Sequence, residues 1–199
     1  MDARVRRTRV SILSAFARLA FERRYERIRT ADLVAESGVG RSTFYEHFRG
    51  KDDVLLAAME PLLLTLASAA VGRASQPQIR ATLKHLWTQR SPGRAILTSR
   101  ALPNLQRKLA SMIETRLTDG TRLDVPPAMI ATAAAAGQLA MLRMWLGGES
   151  SCSADALARH MAARAAQLRD VSSTNSITTT TNSGMLRTKT RAAQDIEQQ

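Results

Sequence analysis

The chain has 199 residues, 44% of them hydrophobic but only 4% aromatic, and its 29 Lys and Arg against 17 Asp and Glu give a net charge of +12. That length holds one to two domains around a core mostly of Ala, Leu, Val, Ile and Met, and a single cysteine, Cys152, excludes an intramolecular disulfide or a Cys-cluster metal site. No apolar run of the roughly 18 residues that a membrane span requires is expected, and Glu22 and Glu26 interrupt any signal-peptide pattern, so a cytoplasmic location is the expectation.

Glycine and proline are sparse between residues 4 and 90 and β-branched alternation is scarce throughout, so an all-α fold is expected. Positive charge is densest at the N-terminal end. Residues 1–51 carry twelve basic and six acidic side chains, a net +6 in a quarter of the length. Such a patch attracts polyanions and binds them in a salt-dependent way through counterion release.

Residues 4–24 have Ile12, Leu13, Phe16, Leu19 and Ala20 at helical spacing, with Arg4, Arg6, Arg7 and Arg9 near the start, where they either reach a DNA backbone or form a solvated arm. Tyr25 and Ile28 are expected to pack the connection to Thr30. From Thr30 to Lys51 the segment TADLVAESGVGRSTFYEHFRGK reads as two short helices about a glycine turn, a helix-turn-helix. Thr30 is expected to cap the first helix through its hydroxyl, with Asp32 in the first turn where its charge suits the helix dipole. Gly38 takes the left-handed position at the C-terminal end.

Phe44 and Phe48 lie four apart and face the core, leaving Arg41, Ser42, Thr43, Tyr45 and His47 over the rest of the second helix. A donor-rich helix anchored by two aromatics suits a phosphate-lined groove; a plain helical hairpin with a polar outside has the same spacing. Asp52 and Asp53 open a further apolar helix that contains Pro61, which is expected to kink it or remove a hydrogen bond.

Helices are then expected over residues 77–90, 92–101, 103–118, 126–147 and 153–169, with prolines near their starts and Gly120, Gly147 and Gly148 as stops. The stretch 126–147 is apolar nearly all round and needs cover on most sides, which a second copy of the chain, joined through 126–147 and 153–169, could supply. From about residue 171 the Ser/Thr/Asn-rich sequence reads as a disordered tail.

From Arg4 to about Leu63 the chain resembles the tetracycline-repressor (TetR) family of bacterial transcription regulators. The resemblance rests on the first helix with Phe16 and Phe21 and on TADLVAESGVGRSTFYEHFRGKDDVLLAAM, with its ordered Thr-x-x-x-Val-Ala-x-x-x-Gly-Val, Thr-Phe-Tyr-x-His-Phe and Gly-Lys-Asp. It implies a three-helix head (residues 1–50) on a helical regulatory and dimerisation body (51–170), with about nine helices in all. It further implies a homodimer on a palindromic operator of double-stranded DNA, whose affinity is relieved by a small-molecule effector in the body.

Position by position, the resemblance makes Thr30 a phosphate-contacting cap, and Tyr45 and His47 the side chains that hold the backbone. It places Lys51 on a phosphate at the start of the next helix and Arg41, Ser42 and Thr43 at base edges. Arginine reads guanine O6 and N7 bidentately, which favours Arg41. Gly40 departs from the frequent Ser or Thr and loses a hydroxyl that would cap the helix or touch phosphate.

For the effector, His85, Trp87, Arg100, Met112, Met141 and Trp145 are candidate pocket residues, although such a stripe also serves as plain core. A neutral or anionic apolar ligand is expected, with His85 or Arg100 as its polar partner. His47, His85 and His160 are scattered singly and no Gly-rich phosphate loop is present, so no catalytic residue, metal or cofactor is expected. The competing functions are a non-specific architectural DNA-binding protein and a small helical enzyme.

Overall fold

From Ile12, the tenth residue of the first helix, the side chains alternate between core and solvent with a period near 3.6, and the rest of the molecule is built on that helix. The structure is a computed structural model that describes residues 3–117 and 125–164. Helix α1 (Ala3–Glu22) buries Ile12, Ala15, Phe16 and Leu19 along one face. A short 3-10 turn at Tyr25–Arg27 follows, with Tyr25 and Ile28 both buried. Then come α2 (Thr30–Ser37), α3 (Arg41–His47) and the long α4 (Lys51–Ala70). The order continues with α5 (Gln76–Thr88), α6 (Arg90–Leu97), α7 (Leu102–Leu117) and α8 (Pro127–Gly147). A last helix, α9, is seen over residues 154–164. No strand occurs among the described residues.

Helix α4 joins the two ends of the molecule. Its first turns pack on α1, and the rest packs on α5 and α7. One apolar cluster therefore runs from Phe16, Leu33 and Phe44 through Val54 and Leu55 to Leu105, Leu139 and Leu142. Pro61 does not interrupt it: α4 is helical on both sides of the ring, which lies on an exposed position, so of the two expected effects a lost hydrogen bond suffices. The one backbone donor that proline removes is on the solvent side, where water replaces it.

The α5 start carries a capping box, in which Ser75 Oγ accepts from the Gln78 backbone N–H at 3.4 Å and the Gln78 carboxamide oxygen accepts from the Ser75 N–H at 2.9 Å. Prolines 77, 103 and 127 occupy first turns, as their missing N–H allows. Helix α6 lies on α8 at Gly93, where a β-carbon would come within 3.2 Å of a Leu146 methyl and 3.3 Å of a Leu86 methyl. Close by, the Trp87 and Trp145 rings are 4.7 Å apart, Arg90 stacks on Trp87 at 4.5 Å, and Trp145 Nε1 donates to the Cys152 carbonyl at 2.9 Å.

Two helices, Lys51–Ala70 and Pro127–Gly147, are long and apolar enough to cross a membrane by length and composition, which corrects the expectation that no such stretch exists. Their alanines raise hydropathy without bulk. In α4 this matches core positions, Val54, Leu55, Leu62, Leu63, Leu66 and Ala67 all being buried. Helix α8 is covered on one side by α6 and α7, and Met129 (63% exposed), Thr132, Ala133, Ala140, Arg143 and Met144 stand exposed on the other. Gly120, the extension of the last helix to 169 and the tail from 171 lie outside the described residues.

Candidate nucleic-acid interface

The helix-turn-helix is set by its turn. Gly38 ends α2 with φ of 66°, a left-handed conformation that costs an L side chain about 1–2 kcal/mol. Gly40 then starts α3 in an extended conformation with no side-chain cap. The cap of α2 corrects the expectation for Thr30: the capping position is Arg29, and Thr30 is the first helical residue. Arg29 has no acceptor to offer the first turn. Asp32 instead accepts from the Arg29 backbone N–H at 2.8 Å, and the Thr30 hydroxyl lies beside Gly50, the residue that opens α4.

Three fastenings fix α2 on α1. Ser11 Oγ donates to the Ser37 carbonyl at 2.8 Å, and Arg18 Nε pairs with Glu36 at 2.6 Å. Arg23 and Asp32 lie 3.6 Å apart. The ion pairs are exposed and contribute at most about 1 kcal/mol each, so they orient the helix more than they stabilise it.

Helix α3 is held by its aromatics. Phe44 is fully buried and Phe48 nearly so, their ring centroids 6.1 Å apart. Tyr45 meets Phe44 edge-on at 5.5 Å, yet its ring is 49% exposed. Arg41 and Ser42 are exposed beside it, with the Arg41 guanidinium 6.0 Å from the Tyr45 ring. Thr43 and His47 are half-buried on the flanks. The outer surface thus brings together Arg41, Ser42 and Tyr45, with Thr43 and His47 at its edges. It also carries Glu46, an exposed carboxylate, so it is not made of donors alone.

Arg9 is a residue that spacing alone did not distinguish from its neighbours. It lies inside α1, its guanidinium over the Phe48 ring at 4.6 Å, and it donates to the His47 carbonyl at 3.5 Å. A cation there suits the C-terminal end of the α3 dipole. Four arginines in the first nine residues gave no sign of which one would turn inward.

Lys51, expected on a phosphate, faces the protein interior. Its ammonium donates to the carbonyls of Ile28 (2.9 Å), Tyr25 (3.1 Å) and Glu26 (3.5 Å) and lies 4.5 Å from the Tyr25 ring centre. All three N–H groups thus have protein partners. The Tyr25 hydroxyl donates to Asp52, and burial first, then that carboxylate, pushes the tyrosine far above its ordinary pKa. Tyr25, Glu26, Lys51 and Asp52 form a polar knot where the 3-10 turn meets the start of α4. Glu26 also accepts from the Arg100 backbone N–H at 3.4 Å.

The six candidate ligand residues do not converge, which corrects that set. Trp87 and Trp145 pack on each other, and His85 is exposed on α5. Arg100 borders the cleft beside Tyr25 and Asp52, whereas Met141 lines a different cavity against α9. Met112, on α7, lines neither of these two spaces. A stripe of large side chains spread over three helices and the turn before α7 is brought to one place only by tertiary packing, which spacing does not specify. Among the described residues no group of three or more His, Cys, Asp or Glu is placed to hold a metal ion.

Residues 12–58 match the family model for bacterial regulatory proteins of the tetR family. Among solved structures, a TetR transcriptional regulator from Streptococcus agalactiae 2603V is 24% identical at a TM-score of 0.52, covering 82% of this chain and 96% of that one. A Syntrophomonas wolfei str. Goettingen protein assigned to the TetR-family transcriptional regulators is 19% identical at 0.53, covering 81% and 94%. The dihydroxyacetone kinase operon activator DhaS is 17% identical at 0.50, covering 82% and 97%. No curated protein matches the sequence. At these identities the solved structures establish the fold, and the family model establishes the N-terminal region. Residues 12–58 thus match the tetR-family model of bacterial regulatory proteins, in a chain with the fold of solved TetR-family regulators.

Proposed function

We propose that this protein is a sequence-specific, DNA-binding transcription regulator that lays α3 in the major groove as a homodimer. The observation that carries the reading is a rigid, aromatic-anchored α3 whose exposed side bears Arg41, Ser42 and Tyr45, on the end of the chain where positive charge is densest. Arg41 reads a guanine edge, with Ser42 and Thr43 at neighbouring bases. Thr30, Tyr45 and His47 hold phosphates, and Gly40 brings its backbone N–H close to the DNA. Lys51 braces the turn before α2 through the carbonyls it already holds.

Residues 1–50 form the reading head and 51–170 the regulatory and dimerisation body. The uncovered, mostly apolar side of α8, with Arg143 on it and α9 beside it, meets the same face of a second copy. Two heads then engage half-sites about one helical turn (about 34–36 Å) apart. We take the protein to be a cytoplasmic repressor whose operator affinity is lowered by a small effector that binds better to the wider-set state. DhaS is described as an operon activator, so the direction of regulation is read from a reporter gene with and without this protein.

Selection of genomic fragments by the purified full chain tests the reading. A two-fold symmetric motif should be enriched, and equal retention of all fragments would make the protein an architectural DNA binder instead.

A further inference from the structure

Glu46 is the residue of α3 turned most directly away from the protein. It stands midway between Phe44 and Phe48, two positions from each, and 3.6 residues per turn set it about 160° round the helix from both. The two phenylalanines are buried and Glu46 is exposed. Ser42, four positions earlier on the same side, is exposed as well.

Nothing in the protein accounts for a carboxylate there. The carboxylates around it each hold a donor: Asp32 the Arg29 N–H, Glu36 the Arg18 guanidinium, Asp52 the Tyr25 hydroxyl and Asp53 the Arg49 N–H. Among the described residues Glu46 holds none. It lies in the last turn of α3, where a negative charge opposes the helix dipole. It also stands on the end of the chain where positive charge is densest, and there it weakens the attraction for a polyanion. The side chain thus works against both its own helix and general DNA binding.

The floor of a major groove supplies the missing donor. A helix laid in the groove turns its outermost side chains to base edges, and those at its flanks to phosphates. A carboxylate only accepts hydrogen bonds. Cytosine offers it an N4 amino group, whereas the N6 amino group of adenine lies beside N7, an acceptor that repels it. We propose that Glu46 is a specificity-determining residue that accepts a hydrogen bond from cytosine N4 in each half-site. The contact rests on the DNA-reading role proposed above for α3. It adds to the guanine required by Arg41 a cytosine required by Glu46, and it excludes bases that present only acceptors.

The test is selection from random-sequence duplexes by the wild type, Glu46→Gln and Glu46→Ala. Both changes are at an exposed position without a partner and should leave the melting temperature nearly unchanged. The wild-type motif should hold a position where cytosine is preferred about tenfold or more. In Glu46→Gln that position alone should turn to adenine, because a carboxamide pairs with N6 and N7 together. In Glu46→Ala the same position should lose its preference and gain no other. A motif identical in all three proteins, with affinity raised equally for every sequence in the variants, would overturn the contact and leave the reading role of α3 intact. A change at a position where the wild type does not prefer cytosine would overturn it too. A wild type that enriches no motif would overturn the reading role and the contact together.

Discussion

The outer side of α3 and the outer side of α8 are both surfaces without a partner in the monomer, but they are opposite in kind. On α3 the buried residues Phe44 and Phe48 are large and rigid and the exposed ones are polar. Each outward group is therefore held in place by packing beneath it. On α8 the exposed residues include Met129, Ala133, Ala140 and Met144, with Thr132 and Arg143 among them, and the buried side includes Gln138 with an unsatisfied oxygen. The first surface presents mostly hydrogen-bond donors, and the second is the one that the proposed dimer would cover. A reading element thus depends on a firm local core, whereas an association element leaves apolar area open.

The largest effect expected on the α3 side is loss of its anchor. Phe44→Ala should cost about 3–5 kcal/mol, lowering the melting temperature and abolishing DNA binding together. Tyr45→Ala, at a half-exposed ring, should weaken DNA binding while the melting temperature stays nearly unchanged. If the two variants melt alike, the division between anchor and reading surface fails.

Arg41→Ala should cost about 1–3 kcal/mol on the selected sequence and relax preference at one base pair. An equal loss on scrambled DNA would make it a phosphate contact.

The polar knot between the 3-10 turn and the start of α4 offers a pH test. Folding raises the Tyr25 pKa, so the protonated form is favoured in the native state. Its contribution is fully present below the unfolded value near pH 10 and is lost as pH rises beyond it. Melting of the wild type should therefore weaken more steeply than that of Tyr25→Phe above about pH 10. Parallel curves would show that the hydroxyl does not hold its proton as described.

Lys51→Ala should lower the melting temperature while changing the salt slope of DNA binding by clearly less than one unit, because its N–H groups hold carbonyls. A slope reduced by about one unit would place the ammonium on phosphate in the complex. Gly40→Ser is the smallest change. A β-carbon there would meet only Thr43 Oγ1 at 3.8 Å, so the added hydroxyl should cap α3 and stabilise the head by a few tenths of a kcal/mol.

How far the sequence disclosed these features follows from how local each one is. The Gly38 turn, the paired phenylalanines and the exposed Arg41, Ser42 and Tyr45 depend on neighbours within one or two helical turns, and spacing specifies them. The helix spans of the body were legible for the same reason, through prolines at starts and the glycine at 148. Arg9 and Lys51 turn inward because of groups 38 and about 25 positions away, and no periodicity encodes such meetings. The partner of Gln138 is more remote still: its carboxamide meets a carbonyl 72 positions earlier. Candidate ligand residues picked for bulk scattered for the same reason.

Equilibrium binding of the wild-type protein to the enriched palindrome and to a scrambled duplex of the same length, at one salt concentration, tests the central claim most directly. A reading α3 surface requires the palindrome to be preferred by about 10³-fold or more. A ratio near one would leave the basic head as a general polyanion binder and contradict the account.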